Sequence, residues 1–347
     1  MKFEKNKLAD ADQGYFITTL PVLGKKRVVA APEGSGPTLV FAPSDFEPQV
    51  ITEGPGGCMG FAPLPGRDDA MLMITAFYPV FRSERAGIDL FQAVDGLAQP
   101  WKGKRIINLP FVHRITVIRD GDIGYLVAAT VCGGKDFQDD WSKPGAVYVA
   151  KIPDNPEGPW KTDILLEHIH RNHGMTAGHL EGEPCVYVSG TEGLFALQPP
   201  EDPASEWRIT SVLSHEISEI YFADLDGDGI DEIAAIEPFH GHTLSVYKQS
   251  DGIWVKIFSS ALKFGHGLWA GNLEGQNVII AGNRDGTKDL VCFRVISGDP
   301  FDMEMTVVDH GSGTTNMDVI RTPDGDVLVT SNPGHSEYAR YRIVPEE

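Results

Sequence analysis

Three stretches of similar sequence decide the fold: 160–168 (WKTDILLEH), 207–215 (WRITSVLSH) and 254–262 (WVKIFSSAL). Each stretch begins with a tryptophan and continues as a short apolar run, and successive tryptophans are 47 residues apart. A repeat with a constant period indicates one structural unit that is stacked several times. A period of 47 residues is in the range of four-stranded blades, and it fits about seven times into the 347 residues.

Each repeat unit contains four predicted strands. The unit that begins near residue 217 has the runs SEIYFADL, EIAAIEP, TLSVYK and WVKIFSS, separated by turn-forming residues. Short runs of this kind between Gly, Asp and Asn are typical of β-strands, and segments with the 3.6-residue period of a helix are scarce. We therefore predict an all-β fold: a seven-bladed β-propeller with four-stranded blades, whose strands A to D run from the axis outward.

The two ends of the chain are predicted to share one blade. The last unit supplies only three runs, TTNMDVI, DVLVTSN and YARYRIV, and the segment KFEKNKLA at the N-terminus is available as the fourth. We expect this N-terminal strand to pair with the C-terminal blade and close the ring, because closure removes exposed sheet edges. The prediction is one propeller domain over residues 1–347.

Charge and composition argue against two classes of partner. The formal net charge of -20 repels a phosphate backbone and an anionic membrane surface. No segment approaches the apolar length of a membrane span, and the N-terminus lacks the apolar stretch of a signal peptide. The cysteines Cys58, Cys132, Cys185 and Cys292 form no CxxC pair and are predicted to be buried free thiols. We expect a cytoplasmic protein that binds no nucleic acid and no membrane.

Strand order sorts the loops onto two faces. Neighbouring strands of a blade are antiparallel, so the D–A and B–C loops share one face, here called the top, and the A–B loops share the bottom. The sharpest motif is a bottom loop, 224–232 (DLDGDGIDE). Its oxygen donors form a cage suited to a structural Ca²⁺; the alternative is a tight acidic turn without an ion. The predicted ligands are Asp224, Asp226, Asp228, Glu232 and the backbone carbonyl of Ile230.

The top face collects histidines. When the innermost strands are aligned, His113, His173 and His266 fall at one equivalent position at the start of strand A, so their side chains should converge near the axis. Three imidazoles at one level can bind a divalent transition metal such as Zn²⁺, or they can act as general bases. The remaining blades place Gln13, Gly57, Ser218 and Ser312 at this position.

The B–C loops add polar side chains around the same mouth. Any one of these is by itself more simply a solvated loop residue, but convergent polar groups on one face predict a functional site. The candidates are Tyr78, Arg82, Lys135, Glu192, His240, His242, Arg284 and His335.

The loop DLDGDGIDE resembles the FG-GAP (VCBS) repeat, a calcium-loop blade of integrin-type propellers. Together with HGLWAGNL and PFHGHTLSVYK, it makes the chain similar to the FG-GAP-type propellers of sugar lyases and dehydratases, the aldos-2-ulose dehydratase type among them. The resemblance implies β-elimination on a sugar or sugar acid, in which a histidine removes a proton next to a carbonyl or carboxylate while a cation holds the enolate. It implies His113, His173 or His266 as base or metal ligand, His240 and His242 as base or acid, and Arg284 or Arg82 as the charge clamp.

Three functions remain open at this point. The first is a carbon–oxygen lyase or dehydratase that uses the histidine site, with Tyr78 and His335 among the further catalytic candidates. The second is a non-catalytic propeller that binds a glycan or a protein, since a fold does not fix a function. The third is a glycoside hydrolase with the same site, which differs from the lyase because elimination leaves an unsaturated product that absorbs ultraviolet light.

Overall fold

The computed structural model describes residues 1–79, 82–202 and 205–344, which form seven antiparallel sheets of four strands each. The strands of the first half are β1 (Lys2–Asp10), β2 (Gly14–Val22), β3 (Lys25–Pro32), β4 (Thr38–Phe41), β5 (Pro48–Thr52), β6 (Phe61–Pro63), β7 (Ala70–Thr75), β8 (Gly87–Gln92), β9 (Lys102–Asn108), β10 (Val112–Asp120), β11 (Ile123–Thr130), β12 (Gly145–Lys151) and β13 (Asp163–Ile169). Those of the second half are β14 (Met175–Leu180), β15 (Glu183–Gly190), β16 (Gly193–Gln198), β17 (Arg208–Leu213), β18 (Ile220–Ala223), β19 (Glu232–Glu237), β20 (Thr243–Ser250), β21 (Ile253–Ala261), β22 (Gly265–Leu273), β23 (Gln276–Asn283), β24 (Leu290–Gly298), β25 (Phe301–Asp309), β26 (Asn316–Thr322), β27 (Gly325–Asn332) and β28 (Glu337–Val344).

The sheets are the blades of a closed propeller. Six of them consist of four consecutive strands paired in chain order, as in β10-β11-β12-β13. The first strand of every blade contacts the first strands of the two neighbouring blades, from β2 through β6, β10, β14, β18 and β22 to β26 and back to β2. These seven strands therefore surround the axis, and the predicted seven-bladed, all-β architecture is confirmed.

The seventh blade joins the two ends of the chain, as predicted. Its order is β26-β27-β28-β1, and β1 pairs antiparallel with β28 from Lys2↔Val344 to Asp10↔Glu337. On this outer strand the ammonium of Lys5 lies 2.6 Å from carboxylate oxygens of both Asp309 and Glu337. Backbone pairing and these ion pairs anchor a segment that would otherwise fray.

The core lies in the blades and between them. Strand B is mostly buried, and every residue of β7 (AMLMIT) and of β19 (EIAAIE) is buried. The four cysteines are buried free thiols, which confirms that prediction. Strand D forms the outer surface and is the most exposed strand in blades such as the second, where β9 (KGKRIIN) has one buried residue.

The described residues contain one short 3₁₀ helix, Pro333–His335. None of the helical structure in the described part of the chain has the length and hydrophobicity needed for a membrane crossing.

Candidate functional site

A cavity of about 410 Å³ opens on the top face. Its walls come from the starts of the innermost strands and from the B–C loops, the two loop sets that the strand order brings to this face. Of the residues predicted from sequence, the cavity brings together His113, His173, His266, His240, Arg284 and Lys135. Its volume is within the range of small-molecule sites.

Irregular pairing aims side chains into this cavity. The register between strands A and B shifts between Gly14 and Phe16, between Val112 and Arg114, and between Gly265 and Leu268. Each shift leaves at least one residue out of the ladder, and a bulge of this kind redirects a side chain. The residues left out include Tyr15, His113 and His266, and all three line the cavity.

Four imidazoles meet at the floor. The ring centroid of His173 lies 5.0 Å from that of His113, 4.9 Å from that of His240 and 4.7 Å from that of His266. One ring nitrogen from each of His173, His240 and His266 lies within 4.8 Å of the others. His113 is not in this group, so the three histidines that could share an ion differ from the predicted trio: His240, from a B–C loop, takes the place of His113.

Two of the rings are hydrogen-bonded through Nδ1. Nδ1 of His266 donates to the carbonyl of Thr315 at 2.8 Å, and Nδ1 of His173 is 2.8 Å from a carboxylate oxygen of Glu219. The Nε2 atoms of His173 and His240 are buried and have no hydrogen-bond partner among the described residues. Buried polar atoms are nearly always paired, so these two nitrogens are available to a ligand or to water.

Burial keeps these rings neutral. It lowers the pKa of His113, His173 and His266 well below 6.5 and lowers the pKa of His240 to about 3. The guanidinium of Arg114 adds to the effect, and so does Arg284 at His240 and His266. Metal ligation needs a deprotonated nitrogen, and these imidazoles meet that requirement at neutral pH.

The backbone around His240 is held in an uncommon conformation. His240 has φ +47°, and its N–H donates to the hydroxyl of Ser218 at 3.2 Å. A Cβ on Gly241 would lie 2.3 Å from backbone atoms of Glu237, so only glycine fits there. The His240 ring stacks on Phe239 at 3.9 Å and on Phe264 at 4.7 Å. The positive φ, the glycine and the two stacked rings together hold the His240 ring in place.

A buried ion pair lies against the histidines. Arg114 and Glu219 are 3.2 Å apart, with 8% and 15% of their side chains exposed. Burial raises the pKa of Glu219 to about 7, against the opposing effect of Arg114. The hydroxyl of Tyr15 lies 3.5 Å from Nε2 of His113 and 3.4 Å from Nε2 of His266.

The two cations on the cavity wall differ in their bonding. Lys135 donates to the carbonyls of Gln138 and Asp140 at 2.9 and 3.1 Å, so it braces its own loop. The half-buried side chain of Arg284 has no hydrogen bond or ion pair within the described ranges. Glu33 also lines the cavity, and burial raises its pKa. Arg284 is therefore the cation available to an anionic ligand.

Several predicted residues do not line the cavity. Tyr78 is 50% exposed, and Arg82 and His242 are exposed as well. Nε2 of His335 donates to the carbonyl of His310 at 2.9 Å, and Glu192 is 2.7 Å from Nδ1 of His170. These five side chains lie in top-face loops but point into solvent or into local contacts. In the first blade Tyr15 reaches the cavity, whereas Gln13 is exposed.

Sequence reasoning missed part of the site. His113 and Ser218 occupy the aligned position, and Arg114 and Glu219 are the next residues along the chain. On a regular strand, the residue after the aligned position would face away from the axis. The bulge at the start of β10 removes that alternation. The aromatic residues of the cavity wall could not be distinguished in the sequence from aromatic residues of the core. They are Phe77, Trp141, Phe239 and Phe264.

The bottom loop 224–232 already holds a cation of the chain itself. Lys248, on β20, contacts Asp226, and its Nζ lies 2.6 Å from Asp228 and 3.5 Å from Glu232. Carboxylate oxygens of Asp224, Asp226 and Glu232 lie within 4.8 Å of one another and are donors that suit Ca²⁺. The ammonium competes for two of these three groups, so calcium at this loop stays a prediction. Ile230, the expected carbonyl donor, is 55% exposed.

Comparisons with known proteins bear on the fold. The Cps50 (Swd1) β-propeller domain of Myceliophteria thermophila is similar with a TM-score of 0.63 at 9% identity, over 98% of this chain and 100% of that one. The PQQ-bound form of an aldose sugar dehydrogenase (Adh) from Streptomyces coelicolor is similar with a TM-score of 0.46 at 13% identity, over 98% of both chains. No family model matches the sequence, and no match was found among curated proteins. The similarity shows a propeller fold and nothing about activity.

Proposed function

We propose that the top cavity is the active site of a metal-dependent carbon–oxygen lyase or dehydratase that acts on a sugar derivative with a carboxylate or carbonyl group. The observation that carries the proposal is the group His173, His240 and His266, whose neutral rings bring one nitrogen each within 4.8 Å of the others. Three imidazoles and an open position are the arrangement of catalytic transition-metal sites. The FG-GAP resemblance supports the choice of reaction only as a likeness of sequence.

The chain offers a role for each part of such a site. His173, His240 and His266 would hold a divalent transition metal such as Zn²⁺, which supplies Lewis acidity when bound. Arg284 would hold the substrate carboxylate with its unpaired guanidinium. The aromatic wall of Phe239 and Phe264 would pack against the apolar face of a sugar ring.

We assign proton transfer to Glu33 and Tyr15, two of the titratable groups that line the same cavity. Burial raises the pKa of Glu33 and so brings it nearer to the range of a general base. In the proposed step the base removes the proton next to the carboxylate or carbonyl. The electron pair then forms a carbon–carbon double bond as the β carbon–oxygen bond breaks. Burial also raises the pKa of Tyr15, so its phenol is protonated and can supply the proton that the leaving oxygen needs.

Metal content tests the site without a known substrate. The histidines of the His-Gly-His loop form a matched pair, since the ring of His240 lies in the cavity whereas His242 is exposed. We expect His240→Ala to lose Zn²⁺ affinity by more than the about 10- to 100-fold that outer-shell changes cost, and His242→Ala to keep it. Competition with a coloured chelator measures both affinities. Equal affinities for the two variants would refute the metal site.

Product analysis tests the reaction. We expect the metal-loaded protein to release unsaturated, ultraviolet-absorbing products from some member of a panel of uronate-containing oligosaccharides and keto-sugars. His173→Ala and His266→Ala should lose at least about 100-fold in rate, whereas His335→Ala should turn over normally. Saturated products would indicate the hydrolase instead.

A second candidate is glycan binding without catalysis. It is favoured by exposed aromatic side chains on top-face loops, since Phe137, Tyr78 and Phe264 are 67%, 50% and 39% exposed. This function predicts saturable binding of a glycan with no product. In that case Phe137→Ala should weaken binding and His173→Ala should not.

A further inference from the structure

We infer that the buried pair Arg114–Glu219 is a positioning device that decides which histidines hold the ion: Glu219 presents His173 as a ligand, and Arg114 keeps His113 out of the ligand set. The inference rests on the proposed metal site and deepens it. It concerns two residues that do not line the cavity and that the histidine pattern did not predict.

The first step concerns His173. One carboxylate oxygen of Glu219 lies 2.8 Å from Nδ1 of His173 and 3.2 Å from Arg114. A carboxylate that accepts the Nδ1 proton fixes the ring orientation and leaves the lone pair on Nε2, as second-shell carboxylates do for metal-bound histidines. Nε2 of His173 is the atom that has no partner in the described part of the chain. Glu219 therefore determines both the tautomer and the direction of this ligand.

The second step concerns His113, the ring that the sequence pattern equated with His173 and His266. Nη1 of Arg114 lies 3.3 Å from Nδ1 and 3.5 Å from Nε2 of His113. A guanidinium this close to both ring nitrogens repels a second cation from either one. At His173 the same guanidinium is 3.4 Å from Nδ1 alone, on the side of the ring opposite the free nitrogen. One cation thus discriminates between two rings whose centroids are only 5.0 Å apart.

The third step concerns why such a pair would stand here. Arg114 also donates to the carbonyls of Met59 and His113, at 3.3 and 3.2 Å, so its guanidinium is held in one place. Burying two charges gains little stability compared with apolar residues of similar size. A fixed charge beside four converging imidazoles gives the site a defined ligand set, which apolar residues could not provide.

The experiment uses Co²⁺, whose visible absorption reports the number and type of its ligands. Glu219→Gln should weaken Co²⁺ binding by about 10- to 100-fold, because the carboxylate that polarises His173 is lost. Arg114→Met should have the opposite effect: tighter binding, and an altered spectrum because His113 can join the ion. Adding His113→Ala to Arg114→Met should restore the parental spectrum, whereas His113→Ala alone should leave the parental spectrum unchanged.

Opposite changes in affinity separate positioning from simple destabilisation, which would weaken binding in both variants. Unchanged affinity in Glu219→Gln, or weaker binding in Arg114→Met, would overturn the inference. If the parental protein itself binds no Co²⁺, the proposed metal site fails before any variant is compared. Should either single variant fail to fold, Arg114→Met/Glu219→Gln leaves no buried charge unpaired; a spectrum identical to the parental one in that variant would equally overturn the inference.

Discussion

The propeller carries two candidate cation sites at its opposite faces, and they differ in whether the chain itself places a cation there. At the bottom loop, Lys248 forms ion pairs with Asp226 and Asp228 and lies 3.5 Å from Oε1 of Glu232, a buried oxygen that has no hydrogen-bond partner among the described residues. At the top cavity, buried nitrogens of His173 and His240 have no partner among the residues described. The loop 224–232, which is the more specific motif in the sequence, therefore has an internal cation beside its carboxylates. The histidine pattern, which is less specific, has no internal cation bound to its free nitrogens within the described part of the chain.

The same contrast applies to the cations of the two regions. Lys248 has carboxylate partners, whereas the side chain of Arg284 has no ion pair in the described ranges and faces a cavity that is also lined by four imidazoles and by Glu33. An unpaired, half-buried charge costs free energy that a bound anion would recover. Removing the charge of Arg284 tests whether the top cavity binds an anion. Removing the charge of Lys248 tests whether this lysine keeps calcium out of the bottom loop.

Among the changes that remove one charge, Arg284→Met is expected to have the largest effect. Arg284→Met should weaken the binding of a sugar acid such as glucuronate by about 10- to 100-fold, because a charge-assisted hydrogen bond contributes about 1.5–3 kcal/mol. Titration calorimetry with glucuronate measures this, and neutral glucose serves as the second ligand because its affinity should change little. Arg82→Met is the matched control, since Arg82 was also a predicted clamp but is exposed outside the cavity. Equal losses of glucuronate affinity in both variants would show that Arg284 does not bind the carboxylate.

A smaller effect is expected at Lys248. Lys248→Met removes the ammonium that competes with calcium, so Ca²⁺ affinity should rise by about tenfold, which corresponds to roughly 1.4 kcal/mol. Without calcium the same variant should melt at a lower temperature, because its clustered carboxylates repel one another. Calcium titrations followed by thermal unfolding measure both changes, with Lys248→Arg as the variant that retains the charge. If the parental protein binds Ca²⁺ as tightly as Lys248→Met does, the bottom loop is not closed by its lysine.

The fold could be predicted almost completely because its determinants are local and repeated. Runs such as EIAAIEP and NVIIAGN are bounded by turns, and the 47-residue period counts the blades. The closing strand followed from counting, since the last unit lacked one strand and the N-terminus supplied it. Each inference needed only strand patterns and the rule that sheet edges are covered.

The sequence predicted which face of the propeller carries the site, but not which side chains enter the cavity. Strand order brings His240 and His242 to the same loop, but only the positive φ of His240 and the close approach at Gly241 turn one ring inward. Bulges likewise decide that Tyr15 enters the cavity and Gln13 does not. Lys248 was missed at the bottom loop because its contact depends on the register between β19 and β20, in which Ile233 pairs with Tyr247, and the sequence alone does not fix that register.

The smallest effect is expected at Glu237, another carboxylate with an internal cation, which lies on the same blade as Lys248. Burial raises the pKa of Glu237, but hydrogen bonds from Lys256, Ser245, His215 and Tyr247 outweigh it and lower the pKa below its ordinary value of 4.5. A carboxyl with a lowered pKa stabilises the fold above pH 4.5, and this contribution is lost as the pH falls through the folded-state pKa.

Lys256→Met should therefore lower the free energy of unfolding by about 1 kcal/mol at pH 7, since Lys256 is 43% exposed and its pairing is screened by solvent. The difference from the parental protein should shrink below pH 4.5 as Glu237 becomes protonated. Urea unfolding between pH 7 and pH 3 measures it, and Lys161→Met is the control because that lysine pairs with Asp163 while 86% exposed. A difference that persists undiminished at pH 3 would mean that Lys256 acts through packing of its methylene chain. The contrast between carboxylates with an internal cation and imidazoles without a partner would then apply to the bottom loop alone.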